Sequence, residues 1–233
     1  MDSVTDIFAR TEALVGADGM VRLKETKAIV FGVGGVGSWC AEALVRSGIG
    51  QLTLVDPDVV CFSNINRQLP ASTATIGRAK VEVLKERFEA INPGIQIVAM
   101  PVAFHDTNAE MFDLEQYDFI VDAIDNIDDK AHLILTATRL DASRLFSSMG
   151  AARKMRPECI KTAEFWKVEG CPLARSLRKW FKKNESYPER KFVCVYSDEV
   201  GESGATKGTM MHITAMFGLR LAALVLTAAL DKQ

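Results

Sequence analysis

The chain has 233 residues, 48% hydrophobic and 25% charged, with a formal net charge of −2. This length suits one large domain, and the composition excludes a disordered chain, a collagen and a disulfide scaffold. The small total hides an uneven distribution. Residues 1–150 carry 13 Lys/Arg against 21 Asp/Glu, whereas residues 151–191 carry 12 against 5, a net of +7. A basic island on an acidic body is either a solvated face or a surface for anions and nucleic acid, and charge alone leaves both open.

The first element is a strand at Lys27–Gly32 (KAIVFG), a short β-branched and aromatic run that stops at glycine. Gly32-Val-Gly34-Gly35-Val-Gly37 follows, then a helix over Ser38–Ser47 that ends at Gly48, then a second strand at Gln51–Asp56. Strand, glycine turn, helix and strand within ~30 residues make a βαβ unit with a right-handed crossover.

The alternation continues. Val81, Leu84, Phe88 and Ile91 recur at helical spacing, so the pattern predicts an amphipathic helix over 74–91, closed by Asn92-Pro93-Gly94. Strands are predicted at Ile95–Met100, Phe119–Ala123 and Arg144–Ser148, with a helix from about Asp128 to Arg139. This is an α/β chain, a Rossmann-like fold with a mainly parallel sheet and flanking helices, and its ligands belong beyond the carboxyl ends of the strands.

Past Gly150 the pattern changes to strands at Ile160–Val168 and Phe192–Ser197 around a helix at Pro172–Lys183. The reading is one domain: a nucleotide-binding core over 1–150, a basic insertion over 151–191, and a closing strand, loop and helix over 192–233. Some 40 residues bury too little surface to stand alone. The loop at Glu199–Gly208 is rich in Gly, Ser and Thr and reads as mobile. The apolar run Thr209–Leu230 contains His212 and Arg220, which favours a buried or dimer-facing helix over a membrane span. The first ten residues lack the apolar core of a signal peptide. The five cysteines form no C-x-x-C pair, which fits a reducing, cytoplasmic setting without a zinc cage.

Gly32, Gly34 and Gly37 match G-x-G-x-x-G between strand and helix, with Gly35 in the same turn. The glycines allow a tight turn, a close approach to phosphate and close packing of helix on strand, and the helix N-terminus faces an anion. Asp56 lies 19 residues beyond Gly37, where a carboxylate can accept ribose hydroxyls. The motif by itself suits NAD and ATP alike.

Asn64-Ile-Asn66-Arg67-Gln68 and, on the next helix, Lys80 suit an enzyme that must neutralise departing pyrophosphate better than one that transfers hydride. Asp125 leaves the Phe119–Ala123 strand where a carboxylate beside triphosphate calls for Mg²⁺. Asp122 is either a second ligand or a structural acceptor.

Together, Gly32–Gly37, Asp56, Asn64–Gln68, Lys80 and Asp125-Asn126 resemble the adenylation domain of the E1-like, ThiF-type activating enzymes. RTEALVGADGMVRLK, FGVGGVGSWCAEALVRSGIG, NINRQLPA, AINP, SSMGA, CPLAR and TAMFGLRLA are more specifically similar to the tRNA threonylcarbamoyladenosine dehydratase branch, from about Arg10 to Leu230. The resemblance implies ATP and Mg²⁺ as cofactors, a homodimer, and a tRNA whose threonylcarbamoyl carboxylate is adenylated and then cyclised with loss of water. It implies that Asp56 holds the ribose, that Arg67 and Lys80 bind the ATP phosphates, that Asp125 binds Mg²⁺, and that Arg10 reaches a partner subunit's ATP.

It also turns the basic helix, with Arg175, Arg178, Lys179, Lys182 and Lys183, into the candidate tRNA surface, opposite an apolar face of Leu173, Leu177, Trp180 and Phe181. The alternative substrate is the C-terminal glycine of a ubiquitin-like sulfur-carrier protein. In that reading a sulfur-transfer partner and Cys171 or Cys194 would matter.

Overall fold

The computed structural model describes residues 7–140, 144–200 and 208–231. Its centre is a seven-stranded sheet of β1 (Lys27–Phe31), β2 (Gln51–Val55), β3 (Gln96–Met100), β4 (Phe119–Asp122), β5 (Arg144–Ser148), β6 (Ile160–Glu164) and β7 (Val193–Ser197), in the order β3-β2-β1-β4-β5-β7-β6. Every pairing is parallel except β6 with β7. The sheet therefore runs unbroken across both ends of the basic segment.

Alternate strand residues enter two cores. Ala28, Val30, Leu52, Leu54 and Val121 face helices α2 (Gly37–Arg46), α3 (Lys80–Ile91) and α6 (Met211–Leu230). Ile29, Phe31, Val55 and Ile120 face α4 (Ile127–Arg139) and α5 (Pro172–Lys183). A central sheet buried on both faces explains the unbroken apolar strands. The chain order reverses between β1 and β4, so a crevice opens at their carboxyl ends.

Three elements differ from the sequence reading. The helix expected over 74–91 begins only at Lys80, because the preceding residues pair with the chain after β2. Val60 N–H donates to Arg78 O at 2.8 Å, Gly77 N–H donates to Val60 O at 2.9 Å, and Gly77 has φ 83°. The strand expected over Ile160–Val168 ends at Glu164, and Phe165–Lys167 forms a 3-10 turn. An N-terminal helix, α1 (Ala9–Glu25), has no counterpart in the reading. Gly16 kinks it, and only Gly19 and Leu23 are buried, so it lacks a continuous apolar stripe.

The C-terminal run is α6, which packs on α2 so closely that a Cβ at Gly218 would stand 2.4 Å from Val36 O. By length and composition α6 could cross a membrane, but half of its apolar window is buried in the protein. Most of the loop at 199–208 lies outside the described residues.

Candidate active site

The crevice between β1 and β4 opens into a cavity of about 990 Å³. Its wall begins at the glycine turn. Gly32 has φ 81°, and a Cβ there would lie 2.7 Å from Ala123 O; one at Gly37 would lie 1.9 Å from Gly32 O. These two positions are glycine because strand, turn and helix touch. Gly34 and Gly35 line the cavity, whereas Gly37 serves the packing behind it.

Asp56, 5% exposed, sits at the end of β2. Its Oδ2 accepts the Val33 N–H at 2.8 Å and its Oδ1 accepts the Asp58 N–H at 2.9 Å. Burial pushes the Asp56 carboxyl above its ordinary value, while Lys80 and the two N–H donors pull the other way. Holding it here costs desolvation, a common mark of a functional carboxylate.

Lys80 is 3% exposed, and its Nζ lies 2.7 Å from Asp58 Oδ2 and 3.8 Å from Asp56 Oδ1. The late start of α3 creates this arrangement, since the pairing of 59–60 with 77–79 places Lys80 at the cavity floor. Asp58 is a site residue that the sequence analysis missed; its signal was Asp56-Pro57-Asp58, two acids straddling a proline after a strand.

Arg67 lies over the glycine turn, with its Cγ 3.4 Å from where a Gly35 Cβ would be. Its Nη1 donates to Ser63 O at 2.8 Å and to Asn66 Oδ1 at 3.0 Å, and its own carbonyl accepts Trp39 Nε1–H at 3.0 Å. Gln68 also lines the cavity; it is buried, and its Oε1 has no partner among the described residues. Asn64 and Asn66 do not line the cavity. Asn64 Oδ1 accepts the Cys61 N–H, and Asn66 donates to Thr209 O. The two asparagines shape the loop that presents Arg67 and Gln68.

On the β4 side, Asp125 is exposed and lines the cavity, and no hydrogen bond or ion pair ties it to a described residue. Asp122 has the opposite character. It is fully buried, with Lys130 Nζ at 2.7 Å and Ser147 Oγ at 2.6 Å from its Oδ2. Its Oδ1 accepts the Ile124 N–H at 3.1 Å, and Lys130 Nζ donates to Ile124 O at 3.1 Å. Asp122 and Lys130 thus grip both sides of residue 124 and fix the chain one residue before Asp125. The structure resolves the open reading of Asp122 in favour of support, and it adds Lys130, whose role no motif marked.

Asn126 caps α4 by accepting from the N–H groups of Asp128 and Asp129. Among the described residues no cluster of three or more acidic, His or Cys side chains could cage a metal by itself. One free carboxylate in a cavity that also holds Arg67 and Lys80 is a donor set that suits Mg²⁺, which is held by one or two carboxylates plus substrate oxygens.

The far end of the cavity belongs to the basic segment: Arg153, Lys154, Arg175 and Ser176 line it. The segment divides its cations. Arg178 Nη2 donates to Phe165 O at 2.7 Å and Val168 O at 2.6 Å, and its guanidinium lies 5.3 Å from the Phe165 ring centroid. The expectation that Arg178 belongs to an outer basic face is therefore corrected; it is spent on holding the turn after β6. Arg175, Lys179, Lys182 and Lys183 are exposed, opposite buried Ala174, Leu177 and Phe181. Trp180, expected on the apolar face, donates Nε1–H to Asp128 Oδ1 at 2.6 Å. Cys171 and Cys194 are buried, and burial pushes the Cys194 thiol far above the range in which it ionises near neutrality. Arg10 stands exposed in the first turn of α1 and does not line this chain's cavity.

With this geometry in place, likeness to known proteins is informative. The ThiF family model matches residues 8–232. The chain is 35% identical to the tRNA threonylcarbamoyladenosine dehydratase of Haemophilus influenzae, covering all of this chain and 97% of that protein. It is 38% identical to the enzyme of that name from Bacillus subtilis, covering 82% of this chain and 74% of that protein. The crystal structure of the Escherichia coli tRNA N6-threonylcarbamoyladenosine dehydratase in complex with ATP superposes with a TM-score of 0.89 at 32% identity, covering 96% of this chain and 93% of that one.

Proposed function

This chain belongs to the ThiF family, and on that premise we propose that it is an ATP-dependent tRNA threonylcarbamoyladenosine dehydratase. One observation carries the reading. A single cavity joins the buried Asp56 carboxylate, the glycine turn, the cations Arg67 and Lys80 and the free Asp125 carboxylate to a basic rim supplied by residues 151–191. Relatives of that name match along most of the chain.

The residues divide the work by position. The Asp56 lone pairs left over from Val33 and Asp58 accept the ribose hydroxyls of ATP, and the glycine turn lets the phosphates approach the backbone at the start of α2. Arg67 and Lys80 offset charge on the phosphates. Their effect on rate comes from the charge that builds on the pyrophosphate as its bond to the α-phosphorus breaks. Asp125 would hold Mg²⁺, which supplies further neutralisation of the phosphates.

The threonyl carboxylate of the modified adenosine attacks the α-phosphorus and pyrophosphate leaves. The carbamoyl group then attacks the activated carbonyl carbon, the bond from that carbon to the phosphate-bound oxygen breaks, and AMP departs as the ring closes. The second step is intramolecular, so proximity replaces a protein nucleophile, in keeping with the buried cysteines. Arg175, Lys179, Lys182 and Lys183 form the tRNA face. The enzyme acts in the cytoplasm as a homodimer in which Arg10 reaches the ATP of the partner subunit. The half-exposed apolar side chains Met216 and Leu219 of α6 and the largely exposed Leu14 of α1 support that assembly.

The test is to incubate the protein with ATP, Mg²⁺ and tRNA bearing threonylcarbamoyladenosine, and then weigh the digested nucleosides. The expected result is loss of one water from that nucleoside, with AMP and pyrophosphate formed. An unchanged nucleoside, with AMP formed only when a small carrier protein is supplied, would overturn it.

A further inference from the structure

Two large aromatic side chains stand out on the basic segment. Trp166 is 46% exposed and Tyr187 is 52% exposed, with ring centroids 6.4 Å apart. They come from different elements: Trp166 from the turn after β6, and Tyr187 from the chain leaving α5. Trp166 is braced from beneath by Phe165 at 5.0 Å and Phe181 at 6.5 Å, both fully buried. Arg178 ties the same turn to α5 through Phe165 O and Val168 O. An indole half open to water but fixed on its inner side is a preformed surface, so little side-chain entropy is lost when a planar ligand covers it.

The surroundings are cationic. Lys167 adjoins Trp166 in the chain, and Lys182 and Lys183 end the helix that leads to Tyr187; all three are exposed. A polyanion with planar bases complements such a surface, because lysines take the phosphates and aromatic faces take unstacked bases. Position agrees as well. Leu173 lines the cavity, and Phe181, beneath Trp166, lies eight residues further along α5, ~12 Å along its axis. That is within reach of nucleotides flanking the one in the cavity.

We propose that Trp166 and Tyr187 form a stacking platform for an unpaired nucleobase of the RNA substrate, next to but separate from the catalytic cavity. The proposal rests on the tRNA reading above. It adds a contact with a base to a surface whose lysines can only sense phosphate.

The experiment compares wild type, Trp166→Ala/Tyr187→Ala and Trp166→Phe/Tyr187→Phe. Affinity is measured for tRNA bearing threonylcarbamoyladenosine and for heparin, a polyanion without bases. The alanine pair should lose about tenfold in tRNA affinity, within the range known for base stacking on an aromatic. Its heparin affinity and its KM for ATP should stay within twofold, and the phenylalanine pair should keep most of the tRNA affinity. In wild type, the part of the tryptophan emission lost in Trp166→Phe/Tyr187→Phe should be quenched by tRNA and not by heparin.

Equal losses for tRNA and heparin, or no loss for either, would overturn the platform while leaving the dehydratase reading standing. A change in oligomeric mass without a change in tRNA affinity would also overturn it, by making the pair a protein interface. Failure of wild type to bind or convert the tRNA would sink the dehydratase reading and the platform together.

Discussion

The exit of β1 and β4 and the basic segment at 151–191 both carry charged side chains into one cavity, but they do so under different constraints. At the exit, backbone geometry sets the residue types. Gly32 and Gly37 stand where a Cβ would strike backbone, and Asp56 is held by two N–H groups from fixed turns. In the basic segment the backbone demands little of the cations, and they divide between inner partners and open water. Arg178 turns inward to two carbonyls, Lys161 pairs with Asp198, and Lys179 and Lys182 stay in water. A motif therefore predicts place and role together, while a charge count predicts a surface without saying which charges belong to it.

The largest expected effect tests the exit. Arg67→Ala should lower kcat by about 10²–10³, as removal of a transition-state charge partner does, with a smaller change in the KM for ATP. Steady-state formation of AMP at saturating tRNA measures it. An equal loss confined to KM would make Arg67 a ground-state contact only.

Next comes the support beneath Asp125. Lys130→Met leaves Asp122 charged and unpaired in a site with no exposure, which should cost about 3–5 kcal/mol in urea unfolding. A cost below about 1 kcal/mol would mean that the contact between Lys130 and Asp122 does not support the fold.

The basic segment offers a direct contrast. Arg178→Ala removes two charge-assisted hydrogen bonds and should cost about 2 kcal/mol of stability while leaving the salt dependence of tRNA binding unchanged. Lys179→Ala/Lys182→Ala should do the reverse: stability within about 0.5 kcal/mol and a salt slope smaller by about 1 per lysine. If Arg178→Ala flattened the salt slope, the division between inner and outer cations would fail.

The smallest effect concerns the tie between α2 and α3. Burial alone would raise the Glu42 carboxyl, but hydrogen bonds from Arg87 and Arg46 outweigh it and hold it below its usual value. A carboxyl lowered in the folded state adds stability at neutral pH, and that stability is lost as pH falls through the lowered value. With both arginines half in water, Glu42→Gln should cost about 1–2 kcal/mol at pH 7. Thermal unfolding should find the difference shrinking as the pH falls below the ordinary carboxylate range.

How much of this was legible in the sequence follows from the same contrast. β5 and α5 end where their apolar patterns end, at Arg144–Ser148 and Pro172–Lys183. Gly34, Asp56, Arg67, Gln68, Lys80 and Asp125 meet in one cavity because the βαβ unit and its switch point bring them there. The late start of α3 was not legible, since Ala79 and Gly77 answer to a strand-like pairing with Val59 and Val60, a contact between segments. Lys130 was hidden for a similar reason: on α4 it reads as a solvated lysine until Asp122 and Ile124 O are seen to surround it. Asn64 and Asn66 sit inside the motif, yet they act through the loop and not by facing the cavity.

The central claim is that a carboxylate is activated on the α-phosphorus and released when the ring closes. Its most direct test uses tRNA whose threonylcarbamoyl carboxylate carries oxygen-18. The account predicts that one labelled oxygen leaves in AMP as the nucleoside loses water. Label recovered in inorganic phosphate, with ADP as the nucleotide product, would contradict it.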